Sequence, residues 1–298
     1  MESEERVIPP SELIINSDNT VFHLHLKPED VCDNVILVGD PGRVDMIGSF
    51  FDEISVNVSS REFKTIKGSY KGCEMMVVST GIGTDNIDIV LNELDALANI
   101  DFNERKAKKE LRSLNILRIG TTGGVQEDIN IGDLILSEAS IGIDCLAWYY
   151  EDAEAVRNSD LEQEFIKQTL WSENLPRPYA VNSSVELVEH FSEIASRGVT
   201  ITAPGFYSAQ GRELRLKPAM KNIVDKFEMC NFGALKITNI EMESAAIGLL
   251  SAMLGHKCTT ICLVVAQRKL KDSDSSYKSV MEEKIKLILD KYKDIKNK

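Results

Sequence analysis

One pattern constrains the fold more than any other and recurs along the whole chain. Short, apolar, β-rich runs end repeatedly in glycine, proline or polar residues. They are "NVILVG" (34 to 39), "MMVVSTGIG" (75 to 83), "LNILRIGTTGG" (114 to 124), "GVTITAPG" (198 to 205), "ALKITNI" (234 to 240) and "CTTICLVVA" (258 to 266). Continuous apolar runs of this length, bounded by turn residues, predict strands buried on both faces. Helical patterns lie between several of them, at 85 to 98, 184 to 196, 243 to 254 and 276 to 295. This alternation predicts an α/β domain around a mostly parallel or mixed central sheet. No repeat, low-complexity tract or linker divides the chain, so residues 21 to 298 read as one domain behind a loosely tied arm, residues 1 to 20. Residues 100 to 113 and 144 to 180 read as variable surface segments. The last helix places Met281, Ile285, Ile288, Tyr292 and Ile295 on one stripe with lysines elsewhere, which suits a solvated outer face.

A chain of 298 residues with 43% hydrophobic content can bury a sizeable core. Its net charge of −13 disfavours nucleic acid and anionic membranes as partners, so an anionic ligand would have to be gripped by local arginines. No apolar run approaches the roughly 18 residues of a membrane span, and the acidic start, broken by two prolines, lacks the form of a secretory leader. The expected location is the cytoplasm. The six cysteines are scattered without a C-x-x-C pair or clustered histidines. They are expected to be reduced and buried, with neither a disulfide scaffold nor a zinc site.

In open α/β sheets ligands gather at the carboxyl ends of strands. There the sequence is rich in Arg and Gly: Gly39, Gly42 and Arg43 follow the first run, and Arg118, Thr121, Thr122, Gly123 and Gly124 close the third. Backbone N–H groups exposed by glycine, threonine hydroxyls and an arginine fork together suit an oxyanion. A single such turn is better explained by tight strand-to-helix geometry without a ligand. Neither stretch has P-loop spacing, and no G-x-G-x-x-G follows a strand. In "GFYSAQGREL", Gln210 and Arg212 beside Phe206 and Tyr207 could read the edge and cover the face of a planar heterocycle, although an ordinary surface loop fits the same spacing. His23 and His25 alternate along a predicted strand, but no third metal ligand lies nearby. In "IEMES", a carboxylate at Glu243 could face the positive end of the helix that follows. That explains one carboxylate, not two. A buried carboxylate without a counterion is costly, so at least one of Glu241 and Glu243 should accept hydrogen bonds, for which a polyol such as ribose is a suitable donor.

"VFHL", "GDPGRV", "SREF", "STGIG", "RIGTTGG", "FY…QGRE" and "EMES" occur in the order and approximate spacing of the uridine phosphorylase branch of the nucleoside phosphorylase family. The chain resembles that branch from about residue 21 to 290. The resemblance implies a single α/β domain around a mixed, partly barrel-like sheet flanked by helices. It implies a homodimer as the minimal active unit, which in many members builds a hexamer. The implied reaction is reversible phosphorolysis, in which uridine and phosphate give uracil and ribose 1-phosphate. Inorganic phosphate is then a co-substrate and no cofactor is needed. Carried onto this sequence, phosphate binding falls to Gly39, Arg43, Arg118 and Thr121, with Arg61 from the neighbouring subunit. Ribose falls to Met242 and Glu243, with His23 from the neighbour at the 5′ hydroxyl. Uracil falls to Phe206, Gln210, Arg212 and Arg268. Gln210, Arg212, Glu243 and Arg118 are the residues expected to carry catalysis, and Glu62 could help hold a monovalent cation at the dimer interface.

Some positions depart from the family pattern. Thr84, Asp85 and Asn86 replace a glycine and small residues, Ala266-Gln267-Arg268 replaces an ending in Asn-Arg, and the longer 100 to 113 segment puts hexamer assembly in question. Purine-cleaving relatives carry an aspartate after the last core strand, where this chain has "VVAQRKLKD". Purine phosphorolysis and a noncatalytic nucleoside-binding role are therefore the alternatives, and thymidine or deoxyuridine remain open as further substrates.

Overall fold

The unbroken apolar runs become the middle of one sheet. In the computed structural model, which describes residues 6–295, the strands are β1 (Asn34–Val38), β2 (Glu53–Ser60), β3 (Phe63–Tyr70), β4 (Cys73–Ser79), β5 (Ile100–Asp101), β6 (Lys106–Ala107), β7 (Asn115–Gly124), β8 (Leu134–Gly142), β9 (Tyr179–Asn182), β10 (Ser196–Thr202), β11 (Asn231–Phe232), β12 (Leu235–Glu241), β13 (Lys257–Gln267) and β14 (Asp272–Ser273). The helices are α1 (Pro41–Gly48), α2 (Thr84–Asn99), α3 (Ser159–Thr169), α4 (Val185–Phe191), α5 (Ile223–Met229), α6 (Ser244–Met253) and α7 (Lys278–Tyr292).

The main sheet runs β11-β12-β10-β8-β13-β7-β1-β4-β3-β2. β1 pairs in parallel with β4 and β7, and β13 with β7, whereas β8 and β13 are antiparallel. β12 also pairs antiparallel with β7, at Asn239 with Gly124 and Ile240 with Gly123, which closes β7, β13, β8, β10 and β12 into a ring. The result is a single α/β domain with a mixed, partly barrel-like sheet, as the resemblance implied.

Strand alternation explains why the β1 run has no polar face. Val35 and Leu37 pack into a layer with Leu91 and Leu94 of α2 and Ile247 and Leu250 of α6. Ile36 and Val38 face the opposite layer, against Ile285, Ile288 and Tyr292 of α7. Helix α6 lies between β-structure and α2 and is apolar all round because its residues from Ser244 to Ser251 are all buried.

Several expectations need correction. The 184 to 196 helix ends at Phe191. Residues 144 to 180 are not simply surface: Phe165 of α3 and Tyr179 of β9 are fully buried. The segment "VFHLHL" is a turn rather than a strand, and His25 has a left-handed φ of 52°, so the two histidines do not share a strand face. Of the arm, residues 1–5 lie outside the described residues. The rest is held by Arg105, whose guanidinium donates to the carbonyls of Ile8, Pro9 and Leu13. All six cysteines are free thiols; Cys32, Cys230, Cys258 and Cys262 are buried, Cys73 is half-buried and Cys145 is exposed, contrary to expectation. No described helix is long and apolar enough to cross a membrane.

Candidate active site

A cleft of about 1720 Å³ opens where β1, β7, β12 and β13 end. Gly39, Arg43, Thr121, Met242, Glu243 and Arg268 all line it, as do Arg118, Glu62, Phe206, Gln210 and Arg212. Thus eleven of the thirteen anticipated site residues, separated by as much as the distance from Gly39 to Arg268 in sequence, share one cavity. His23 and Arg61 do not line it.

At one end two buried arginines face the glycine-rich strand exits. Arg43 rides on the first turn of α1, whose N-terminus is capped by Asp40 accepting from the Gly42 N–H at 2.8 Å. The Arg43 guanidinium donates to the carbonyl of Ile119 at 3.2 Å and forms no ion pair among the described residues. Burial pulls its pKa down, and the Arg118 charge adds to that, against the opposing pull of Tyr277 and Asp40. Thr121 is half-exposed at the same end. The hydroxyl of Thr122 is committed elsewhere, donating to the Ile240 carbonyl at 2.8 Å.

Arg118 is the hub of the site. Its Nη2 pairs with Glu243, its Nη1 lies 3.2 Å from Glu241 Oε2, and Nη1 also donates to the Cys262 sulfur at 3.3 Å. Gly120 makes this possible, since a Cβ there would lie 1.9 Å from Arg118 Nη1. Burial works against the Arg118 charge, but the two carboxylates more than offset it and push its pKa up. Glu243 moves in the same direction for a different reason. Burial raises its carboxyl and Glu241 adds to that, while Arg118 and the Gly83 N–H oppose. Two carboxylates sharing one guanidinium leave a net negative charge in buried ground, so the upward direction for Glu243 is physically sound. The Gly83 N–H reaches Glu243 Oε1 at 2.8 Å, and Gly83 has a φ of 102° that side chains other than hydrogen rarely allow.

The helix-end role expected of Glu243 belongs instead to Glu241. Glu243 makes no side-chain cap on α6. Glu241 accepts from the N–H of Glu243 at 2.9 Å, the N–H of Ser244 at 3.0 and 3.1 Å, and the Thr202 hydroxyl at 2.6 Å.

At the opposite end, Arg212 donates to Gln210 Oε1 at 2.6 Å and lies 3.7 Å over the Phe206 ring centroid. Arg268 donates to the Gln210 carbonyl at 3.0 Å, and its buried Nη1 has no partner. Burial and the neighbouring Arg268 charge pull the Arg212 pKa down to about 10, and burial lowers that of Arg268. Neither guanidinium has a carboxylate partner among the described residues. The amide of Gln267, a residue of the cleft lining, is committed to the backbone. It donates to the carbonyls of Gln126 at 2.6 Å and Ile129 at 2.8 Å, which pins the turn that delivers Arg268.

Sequence spacing gave no signal for Gly83, Cys262 or Gln267, because their partners lie about 140 to 160 residues away. It also missed Glu93, which binds His23. His23 and Arg61, outside the cleft lining, are linked through Phe22: the Arg61 guanidinium is 5.5 Å over that ring and the His23 ring meets its edge at 4.9 Å.

A family model described as the phosphorylase superfamily matches residues 33–290. The chain is 30% identical over 250 residues to a uridine phosphorylase of Thermococcus kodakarensis, covering 83% of this chain and 77% of that protein. It is 26% identical over 257 residues to a guanosine phosphorylase of Halorubrum lacusprofundi, covering 85% and 88%. The crystal structure of Trypanosoma brucei nucleoside phosphorylase, described as showing uridine phosphorylase activity, superposes with a TM-score of 0.84 at 30% identity, covering 94% of this chain and 99% of that one.

Proposed function

This chain belongs to the phosphorylase superfamily, and we propose that within it the protein catalyses the reversible phosphorolysis of uridine to uracil and ribose 1-phosphate. The observation that carries uridine over a purine is the base end of the cleft. There the Gln210 side-chain amide meets Arg212, the Gln210 backbone carbonyl meets Arg268, and the segment Ala266–Arg268 brings no carboxylate to protonate a purine ring.

In this reading phosphate is bound by Gly39, Arg43, Arg118 and Thr121, the uncompensated charge of Arg43 being the attraction. Ribose packs on Met242 and donates a hydroxyl to Glu243. As the glycosidic bond breaks, positive charge grows on the sugar and faces the phosphate, while negative charge flows into uracil and faces Gln210 and Arg212. The lowered pKa of Arg212 marks a cation whose environment improves when that anion forms. Binding both reactants in line supplies the orientation. No covalent enzyme intermediate or cofactor enters the scheme, and Glu62 on the cleft wall is the candidate for a monovalent cation.

His23 and Arg61 would serve the cleft of a second copy, which makes a homodimer the minimal active unit, working in the cytoplasm. A second reading, guanosine or other purine phosphorolysis, is favoured by the guanosine phosphorylase of similar identity. The deciding experiment follows base release from uridine, thymidine, inosine and guanosine, with and without phosphate. Phosphate-dependent uracil release is expected to dominate. Turnover confined to purine nucleosides would replace uridine as the substrate, release without phosphate would make the enzyme a hydrolase, and binding without any turnover would make it a noncatalytic nucleoside-binding protein.

A further inference from the structure

A single carboxylate holds the turn that presents His23. Glu93, in the middle of α2, accepts from the backbone N–H of His23 at 3.0 and 3.2 Å, from the N–H of Leu24 at 2.9 Å, and from His23 Nδ1 at 2.6 Å. Its side chain is only 12% exposed, on a helix whose neighbouring positions Val90, Leu94 and Leu97 are fully buried. A carboxylate so placed needs donors, and the turn supplies three. The imidazole is further confined by edge contacts with Phe22 at 4.9 Å and Phe63 at 6.3 Å.

This arrangement decides which ring nitrogen can accept. An ionised carboxylate is acceptor-only, so Nδ1 carries the proton and the neutral ring keeps a lone pair on Nε2. Nε2 makes no hydrogen bond among the described residues. Neither His23 nor Glu93 lines the cleft of its own chain.

We propose that Glu93 is a positioning residue for nucleoside recognition: it fixes the tautomer and orientation of His23 so that Nε2 accepts from the 5′ hydroxyl of a nucleoside bound to a second copy of this chain. The inference rests on the reading of the protein as a uridine phosphorylase. The competing explanation is that Glu93 only stabilises the fold and does not act at the 5′ hydroxyl.

Uridine and 5′-deoxyuridine separate the two explanations, because a loss of fold stability that does not act at the 5′ hydroxyl affects both substrates alike. Steady-state kinetics of the wild type, His23→Ala, Glu93→Gln and the double variant provide the comparison. Each single variant should lose about three- to tenfold in kcat/KM for uridine, the size of one neutral hydrogen bond, and less than about twofold for 5′-deoxyuridine. The double variant should lose no more than either single one. Should Glu93→Gln fail to fold, Glu93→Asp, which keeps an acceptor on a shorter arm, is read against the same substrate pair and should retain part of the preference for uridine. Equal losses on both substrates, or none on either, overturn the inference. A wild type that uses both substrates equally well also overturns it while leaving uridine phosphorolysis intact. A wild type that uses neither removes the functional reading and the inference together.

Discussion

Replacing Glu241 should separate its role as a hydrogen-bond acceptor from its charge. Glu241→Ala would strand the Thr202 hydroxyl, the N–H groups of Glu243 and Ser244, and one edge of the Arg118 guanidinium, all in buried surroundings. Breaking one side of a buried charge pair costs about 3 to 5 kcal/mol, and the lost cap on α6 accounts for about 1 of this. Glu243 still neutralises Arg118, so the lower half of that range is expected. At about 2 °C per kcal/mol for a chain of this size, the melting temperature should fall by roughly 6 to 8 °C. Glu241→Gln keeps an acceptor oxygen and removes one of two like charges around Arg118, so its cost should stay below about 1.5 kcal/mol. Calorimetric melting of both variants, with uridine kinetics on the glutamine variant, tests this. Glutamine should preserve kcat/KM within about tenfold if Glu241 acts through Arg118 and the Glu243 backbone. Equal destabilisation by alanine and glutamine would refute the acceptor argument. A folded glutamine variant that loses more than about a thousandfold in kcat would put Glu241 at the reacting atoms instead.

Arg43→Ala should raise the KM for phosphate about tenfold to a hundredfold and leave the KM for uridine nearly unchanged, measured by varying each substrate at saturating levels of the other. Gln210→Ala should lower kcat/KM for uridine by about a hundredfold, because it removes the amide and releases Arg212, and the ratio of uridine to inosine turnover should fall with it. Asp144 predicts a pH effect on stability. Burial raises its carboxyl pKa despite hydrogen bonds from the Leu146 N–H and the Tyr179 hydroxyl. The folded state therefore holds this proton more tightly than the unfolded chain. The resulting stabilisation is complete below the ordinary carboxyl value of about 3.9 and is lost as pH rises through the raised folded value. Asp144→Asn cannot titrate, so its melting temperature should decline less than that of the wild type between about pH 4 and about pH 7.

The legible parts of the fold were those where burial is two-sided. β1, β7 and β13 announce themselves because both faces of each strand need apolar residues. β2 stayed hidden because its alternating half-exposed residues, Glu53 to Ser60, carry little hydrophobic signal. β8 is interrupted by Ser137 and Glu138, and Ser137 survives burial only because its hydroxyl contacts that of Thr200 at 2.5 Å. "VFHLHL" has strand alternation, but the carboxylate of Glu93 pulls two successive N–H groups toward one point and turns the chain. At the cleft, residue types at strand ends pointed to the arginines and Gln210. The division of labour between Glu241 and Glu243 did not follow from spacing, since it depends on Arg118 arriving from β7 and Gly83 from the start of α2.

In the proposed reaction the ion pair between Arg118 and Glu243 would couple the two halves. In the proposed scheme phosphate engages the guanidinium and ribose engages the carboxylate, so the two reactants compete for opposite partners of one internal bond. Whichever binds first weakens that bond and leaves the other partner better able to receive the second. Thermodynamic reciprocity then requires phosphate to tighten nucleoside binding by the same factor as nucleoside tightens phosphate binding. The cleft would thereby act as a coincidence detector, occupied fully or hardly at all.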